Sequence, residues 1–114
     1  MNGRLELGRD GESLAAEWYV ANGYEILDRN WRIRSGELDI VAQRDGVVVF
    51  CEVKTRSSAR FGRGLEAVGW EKQRRVRALA LAWLDASERH YREIRFDVAD
   101  VDGDGAVEVI EGCF

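Results

Sequence analysis

The sequence predicts an α/β domain in which a mixed β-sheet is flanked by helices. Three observations lead to it: apolar residues alternate from Tyr24 to Thr55, an amphipathic helix follows, and a second alternating segment comes after the helix. A helical crossover usually returns the chain parallel to the strand that it left, so the sheet should mix parallel and antiparallel pairs. The predicted order is αβββαββ. The chain of 114 residues suits a single domain, spanning 1–114.

The first helix is predicted from about Asp10 to Ala21. Asp10 is a suitable N-cap, and Asn22-Gly23 is a typical C-terminal stop. A narrow apolar stripe should pack this helix on the sheet, and it consists of Leu14, Ala15, Trp18 and Ala21.

Three strands are predicted over Tyr24 to Arg34, Glu37 to Arg44 and Val47 to Thr55. Ser35-Gly36 is the turn between the first two, and Asp45-Gly46 is a strong hairpin signal between the next two. The alternation places Leu38, Ile40 and Ala42 on one face. The run VVVFCEV is apolar at successive positions, which predicts that the third strand is the buried centre of the sheet.

A second helix is predicted from near Trp70 to about Ala86. Its core-facing stripe consists of Val76, Leu79, Ala80, Trp83 and Leu84. A fourth strand is predicted from Glu93 to Val101 and a short fifth from Ala106 to Ile110. On the fourth strand the inward residues should be Ile94, Phe96 and Val98.

Residues 100–111, DVDGDGAVEVIE, fit the spacing of an EF-hand calcium loop. An EF-hand needs an exiting helix, yet the preceding residues alternate like a strand and only Gly112, Cys113 and Phe114 follow. A polar hairpin turn is the favoured interpretation, and a calcium-responsive interaction protein is retained as one alternative function.

Charge is unevenly distributed along the chain. The formal net charge is −4, but residues 54–77 carry eight basic and two acidic side chains, a local charge of +6. Such a basic segment is typical either of a nucleic-acid surface or of a solvated helix face. The sequence shows no signal peptide and no membrane span, so we expect a cytoplasmic protein without a membrane partner. Its two cysteines, Cys51 and Cys113, fit reduced thiols.

The Asp45-Gly46 hairpin sets Asp39 directly across from Glu52, and Glu37 across from Lys54. All four side chains should project from one face of the sheet. Two like charges on directly opposed residues repel each other. A cation between the two carboxylates would therefore explain why Asp39 lies opposite Glu52. Mg²⁺ or Mn²⁺ takes such oxygen ligands together with substrate phosphate, and the Lys54 ammonium can orient an attacking water.

An alternative interpretation needs no chemistry. In it, Glu37 and Lys54 form a cross-strand ion pair while Asp39 and Glu52 are solvated at a sheet edge. A turn with an odd number of loop residues would also shift the register by one residue and separate the carboxylates.

The chain resembles the YraN-like family of small bacterial proteins, a branch of the restriction-endonuclease-like superfamily that is similar to archaeal Holliday junction resolvases. Nearly the whole chain carries the resemblance, through GESLAAEWYVANGYEILDRNWR, SGELDIVA, VVVFCEVKTR, EKQRRV and IRFDV. GELDIVA followed by FCEVKTR stands where the superfamily has its PD-(D/E)xK motif. Leu38 occupies the proline position of that motif, and Cys51 stands where the family usually has valine.

This resemblance implies a restriction-endonuclease-like αβββαβ core. It implies that Asp39 and Glu52 are metal ligands, that the Val53 carbonyl assists them, and that Lys54 is the catalytic lysine. Glu12 matches an additional acidic residue of the resolvase-like branch.

Further positions follow from the same resemblance. Glu37 matches the glutamate of the family's G-E-(I/L)-D segment, and Lys72 matches a lysine that opens the second helix and contacts a phosphate. Arg56, Lys72 and Arg75 are the predicted nucleic-acid contacts within the basic segment.

The leading hypothesis is therefore a metal-dependent nuclease with Mg²⁺ or Mn²⁺ as cofactor and branched or double-stranded DNA as substrate. A nucleic-acid-binding module that keeps the fold without turnover is the main alternative. Symmetric cutting of a junction takes two active sites, which a homodimer would supply, although no sequence feature indicates one.

Overall fold

The computed structural model describes residues 3–55 and 69–114, with side chains described from residue 11 onward. Within those residues the predicted order αβββαββ is confirmed. The elements are α1 (Gly3–Ala21), β1 (Glu25–Ile33), β2 (Gly36–Arg44), β3 (Val47–Thr55), α2 (Trp70–Ser87), β4 (Glu93–Val101) and β5 (Val107–Ile110). Neither of these two helices is long and apolar enough to span a membrane.

The five strands form one mixed sheet in the order β1-β2-β3-β4-β5. β3 and β4 are parallel, because α2 crosses over between them, and the other neighbours are antiparallel. β3 lies at the centre, and its residues from Val48 to Cys51 are buried. The predicted central strand is thereby confirmed.

The β2–β3 hairpin has the predicted register. Asp45 and Gly46 both have positive φ, 52° and 80°, as a type I′ turn requires. Pairing continues from Arg44 opposite Val47 to Ile40 opposite Cys51. Asp39 and Glu52 are the next positions along the two strands, just beyond the last described pair.

The helices cover opposite faces of the sheet. Ala15 and Tyr19 of α1 pack with Val49 and other residues of one face. The α2 residues pack instead with Val48 and Phe50. Successive β3 residues therefore alternate between two apolar clusters, as a strand buried on both sides requires. The stripe predicted on α2 is confirmed, with Val76, Leu79, Ala80 and Trp83 buried and Leu84 partly buried.

Two predictions about α1 were wrong. The helix begins at Gly3, so Asp10 lies inside it and is not an N-cap. The residues before Asp10 include Arg, Leu and Glu, which are good helix formers. Ala21 is exposed, whereas Tyr19 is fully buried. Ala15 and Tyr19 are one turn apart on the buried side, and Ala21 is rotated away from them.

The prediction that Leu38 shares a face with Ile40 and Ala42 was also wrong. Leu38 pairs with Trp31 and packs in the α2 cluster, whereas Ile40 packs in the α1 cluster. The side-chain alternation of β2 is therefore broken between Leu38 and Ile40, and on the facing strand Asn30 has a left-handed backbone with φ of 52°. Asp39 lies between Leu38 and Ile40 at this irregular point.

Smaller differences concern the strand ends. β1 is one residue shorter than predicted at each end, β2 begins one residue earlier than predicted, and the turn between them is at Arg34-Ser35. Ile94 was predicted to point inward but is 45% exposed. The alternation indicated its side of the sheet but not its depth, because a helix covers only part of a sheet face.

The segment with the EF-hand spacing forms a hairpin turn between β4 and β5. Oδ1 of Asp102 accepts hydrogen bonds from the backbone N–H groups of Asp104 at 2.9 Å and Ala106 at 3.0 Å. β5 occupies the second half of the segment, and the residues after it are not helical. A polar hairpin turn therefore accounts for Asp102, because its carboxylate accepts hydrogen bonds within the turn.

Candidate active site

The predicted site residues meet in an open pocket where β2 begins, β3 ends and α2 starts. The pocket has a volume of about 320 Å³. Five of the residues singled out in the sequence line it, namely Glu37, Asp39, Glu52, Lys72 and Arg75. Gly36 lets β2 approach α2 closely, since its φ is 154° and a Cβ there would lie 3.1 Å from the Leu79 side chain.

Asp39 occupies the point where the β2–β3 ladder ends. Its Oδ2 accepts a hydrogen bond from the Val53 N–H at 2.9 Å, so the carboxylate binds a main-chain group of the neighbouring strand. Burial, followed by the negative charge of Glu52, raises the pKa of Asp39 to about 7. Asp39 and Glu52 line the same pocket, and the negative charge of each disfavours the other.

Glu52 lies beside two amines. Its side chain is only 12% exposed, and its Oε1 lies 2.7 Å from Lys72 Nζ and 3.9 Å from Lys54 Nζ. Lys72 therefore makes the direct ion pair, while Lys54 lies at the outer limit of one. The two lysines reach the same carboxylate from different elements, α2 and β3.

The lysines also affect each other. Burial, then the hydrogen bond and positive charge of Lys72, lowers the pKa of Lys54 below its ordinary value. Burial is the largest single influence on Lys72 and disfavours its charge, but its hydrogen bonds with Glu52 and Lys54 and the negative charges of Glu52 and Asp39 together outweigh burial and raise the pKa of Lys72. Of the two amines, Lys72 therefore holds its proton more tightly and Lys54 releases its proton more easily.

Glu12 approaches the same charges from the other helix. Burial is the main cause that raises its pKa, and the nearby Glu37 and Glu52 add to it, whereas Arg29 lowers it. Its Oε1 is buried and has no hydrogen-bond partner in the described part of the chain. Such an unpartnered carboxylate oxygen is unusual in a folded protein and is typical of a functional site.

Gly11 explains how α1 comes this close to β3. A Cβ at position 11 would overlap the Oγ1 atom of Thr55 at the end of β3. The absence of a side chain at Gly11 therefore lets the helix backbone lie against the end of β3, close to Lys54 in sequence. Glu12 follows in the helix and is carried to the site by this contact.

Glu37 has a different partner from the one that the alternative interpretation gave it. Its Oε2 accepts a hydrogen bond from Arg32 at 2.8 Å instead of pairing with Lys54. Asp39 and Glu52 do not lie at a sheet edge either, because β2 and β3 are interior strands. The geometry therefore disagrees with a purely solvated cross-strand pair.

The predicted nucleic-acid contacts are only partly described. Lys72 and Arg75 line the pocket. Arg74 places its guanidinium 4.8 Å from the centre of the Trp70 ring, and Trp70 is 65% exposed at the start of α2. Arg56 lies outside the described residues. The start of α2 therefore presents cations and one exposed aromatic ring beside the carboxylates.

Asp39 and Glu52 fit a hard divalent cation in their donor chemistry. Mg²⁺ commonly takes one or two carboxylates and completes its shell with water and substrate phosphate. Among the side chains that the structure describes, those of residues 11–55 and 69–114, no group of three or more His, Cys, Asp or Glu is arranged to hold a metal ion. A two-carboxylate site, helped by the predicted Val53 carbonyl, is the arrangement that these residues allow.

Sequence reasoning missed two neighbours of Glu12. Arg29 contacts the start of this region through a hydrogen bond to Ser13 at 3.3 Å, and the Asn30 side chain bonds Glu12. Arg29 gave no recognisable signal. Asn30 belongs to a residue type that tolerates left-handed backbone, which is a weak indication of an irregular strand.

The two cysteines are free thiols, as predicted. Cys51 is buried in the α1 cluster, and burial raises the pKa of its thiol. It takes no part in the pocket.

Comparison with known proteins places the chain in a family. A family model described as "Uncharacterised protein family UPF0102" matches residues 11–101. A UPF0102 protein of Rhodococcus opacus is 50% identical over 97 residues, which cover 85% of this chain and 82% of the relative. A UPF0102 protein of Frankia casuarinae is 48% identical over 118 residues, with all of both chains covered.

A third relative, a UPF0102 protein of Leifsonia xyli, is 54% identical over 78 residues and covers 68% of this chain and 66% of its own length. The match of the family model includes α1 from Gly11, the hairpin with Asp39 and Glu52, and α2. This agrees with the YraN-like resemblance drawn from the sequence. The chain belongs to the UPF0102 family.

Proposed function

We propose that this protein is a metal-dependent nuclease that hydrolyses phosphodiester bonds in branched or double-stranded DNA. The observation that supports it most is the pair of mutually repelling carboxylates, Asp39 and Glu52, which share one pocket with the Lys72 amine, while the Lys54 amine lies 3.9 Å from Glu52. Structural ion pairs do not need a carboxyl group whose pKa is raised to about 7, whereas metal and catalytic sites commonly contain one.

Each residue has a role in this proposal. A bound Mg²⁺ or Mn²⁺ would neutralise the scissile phosphate and activate a water molecule. Asp39 and Glu52 would bind the ion, with the Val53 carbonyl as a further oxygen ligand. Lys54 would orient the attacking water and stabilise the negative charge that grows on the phosphate.

The remaining acidic and basic residues act around that centre. Glu12 directs an unpartnered oxygen into the charged region and would hold a water molecule there. Glu37 adds negative charge at the mouth, restrained by Arg32. Arg75, and Arg56 in the basic segment, would contact phosphates on either side of the bond that is cut.

A cleavage assay tests this function. Plasmid, flap and four-way-junction DNA are incubated with the protein in Mg²⁺, in Mn²⁺ and in EDTA. Asp39→Asn should abolish the metal-dependent cutting. Glu71→Gln is the matched control, because Glu71 is exposed beside Lys72, does not line the pocket, and loses the same charge. Absence of cutting with every substrate, or equal cutting by Asp39→Asn, would refute the nuclease.

One observation favours a second candidate, a nucleic-acid-binding module without turnover. Lys72 forms an ion pair of 2.7 Å with Glu52, one of the two proposed metal ligands. A titration of DNA binding against salt tests this candidate, since phosphate contacts weaken linearly in log affinity as log salt rises. Binding that is absent at low salt would reject both candidates.

Oligomeric state belongs to the same proposal. Symmetric cutting of a four-way junction requires two active sites, so a nuclease of that kind would act as a homodimer. Sedimentation of the protein alone and with junction DNA measures this directly. A strict monomer under both conditions would restrict the proposal to asymmetric substrates.

A further inference from the structure

One ion pair in the site involves a lysine for which the sequence predicted a different partner. Lys72 was predicted to contact phosphate, yet its Nζ lies 2.7 Å from Glu52 Oε1. Lys54, the lysine of the motif itself, is farther from the same oxygen at 3.9 Å. Among the described residues, Lys72 is therefore the main counter-ion of Glu52.

An ammonium group in this position competes with a metal for the same atom. It engages a lone pair of Oε1, and Glu52 is only 12% exposed, so water does not screen the pair well. A divalent cation bound by Glu52 would face the positive charge of Lys72 at close range. Both cations cannot hold that oxygen with full strength, so one must give way.

Lys72 is placed to give way. Its side chain is 33% exposed and lies in the first turn of α2, on a flexible four-carbon stem. The ammonium can turn outward without movement of the helix backbone. The same helix start carries Trp70 and Arg74 and is the positive end of the helix dipole, which favours an approaching phosphate.

We propose that Lys72 is a displaceable counter-ion, which holds Glu52 in the metal-free protein and contacts a nucleic-acid phosphate once a divalent cation is bound. This inference rests on the proposed function, because it assumes a cation at Asp39 and Glu52. It adds a coupling between the two ligands. Release of Lys72 by one ligand lowers the cost of binding the other, and by linkage the effect is reciprocal.

The first experiment measures the metal alone. Mn²⁺ is titrated by calorimetry into the wild type, Lys72→Gln, Lys72→Arg and Arg75→Gln, without nucleic acid. Lys72→Gln should bind Mn²⁺ about tenfold more tightly than the wild type, because a hydrogen bond between charged groups no longer has to be broken. Lys72→Arg keeps the charge and should stay within about threefold of the wild type.

Arg75→Gln is the matched control. It lies on the same helix, lines the same pocket and loses the same charge, but it makes no described ion pair with Glu52. A general electrostatic effect would strengthen Mn²⁺ binding equally in Arg75→Gln and Lys72→Gln, and this would overturn the inference. Thermal unfolding of each metal-free variant checks that the fold is retained.

The outcomes separate this inference from the proposed function. Equal Mn²⁺ affinity in the wild type and Lys72→Gln would overturn the counter-ion while leaving a metal site. No Mn²⁺ binding by either protein would overturn both. Binding by Lys72→Gln alone would support the counter-ion in its strongest form.

A second measurement tests the coupling. DNA affinity is measured for the wild type and Lys72→Gln with and without Mn²⁺ at one ionic strength. The gain in affinity on adding Mn²⁺ should be about tenfold larger for the wild type, since only its Lys72 is released to a phosphate. An equal gain in the two proteins would overturn the transfer of Lys72 from carboxylate to phosphate.

Discussion

Replacing Asp39 by Asn should stabilise the metal-free protein at neutral and alkaline pH. The pKa of Asp39 is raised from 3.8 to about 7, chiefly by burial and then by the charge of Glu52. The folded state therefore binds the Asp39 proton more tightly than the unfolded state does. Ionising this group consequently destabilises the fold progressively as the pH rises from about 4 to about 7.

The size of the effect follows from the difference between the two pKa values. About 3 pKa units correspond to roughly 4 kcal/mol, which is a ceiling because charges inside proteins are partly relieved by relaxation. Asn keeps the shape and an oxygen that can accept the Val53 hydrogen bond. We therefore expect Asp39→Asn to raise the free energy of unfolding by about 1–3 kcal/mol near pH 8, and by almost nothing near pH 4.

Urea unfolding at a series of pH values, with EDTA present, measures this difference. Glu71→Gln serves as the control, and its exposed position should give no comparable trend with pH. Saturating Mn²⁺ should stabilise the wild type and leave Asp39→Asn unchanged. The difference in the free energy of unfolding between the two proteins should therefore shrink or change sign. A stability difference that is constant with pH, or a destabilised Asp39→Asn near pH 8, would refute the reasoning.

Three further predictions concern residues that hold the scaffold of the site. Gly11→Val should destabilise the fold by about 2–4 kcal/mol, because its side chain would overlap the end of β3, and thermal unfolding measures this. Asp97→Ala should cost about 3 kcal/mol in urea unfolding, since the fully buried Asp97 carboxylate accepts hydrogen bonds from Tyr19, Arg95 and Gly112. Asp102→Ala should cost about 1–2 kcal/mol by the loss of its two turn hydrogen bonds, and calorimetry should detect no Ca²⁺ binding in either protein. Wild-type stability in any of these variants would contradict the corresponding contact.

The hairpin could be predicted from the sequence because its determinants are local. Asp45-Gly46 selects a tight turn, and a tight turn fixes which residues face each other. The same holds for α2, whose buried positions recur at helical spacing from Val76 to Trp83. Local rules of this kind were enough to bring Asp39 and Glu52 to neighbouring positions.

Other features depend on contacts between distant segments, and the sequence could not supply them. The change of side at Leu38 occurs where β2 faces a left-handed residue of β1, Asn30. The approach of Glu12 depends on the close contact between Gly11 and Thr55. Neither has a signal within its own stretch of sequence, because period and propensity describe one element at a time.

The partner of Lys72 is the most consequential of these differences. From the sequence, Lys72 was predicted to contact a phosphate, and nothing in the pattern of α2 indicated a carboxylate partner for it. In the structure, Lys72 reaches across to β3 and neutralises Glu52, whereas Arg74 lies over Trp70. The difference arises from the rotation of α2 about its axis, which is set by the packing of Leu79 and Trp83 on the sheet.

This charge arrangement changes what metal binding must involve. Asp39 and Glu52 repel each other, but Glu52 already has a cation at 2.7 Å, so the metal-free site is partly compensated. Under the proposed function, binding of a divalent ion would be an exchange of cations rather than an addition to an open pair of carboxylates. The exchange would release the Lys72 amine, which lies in the first turn of α2, where we propose that a phosphate binds. The same residues would thereby hold the site closed without DNA and make it attractive to DNA once the metal is in place.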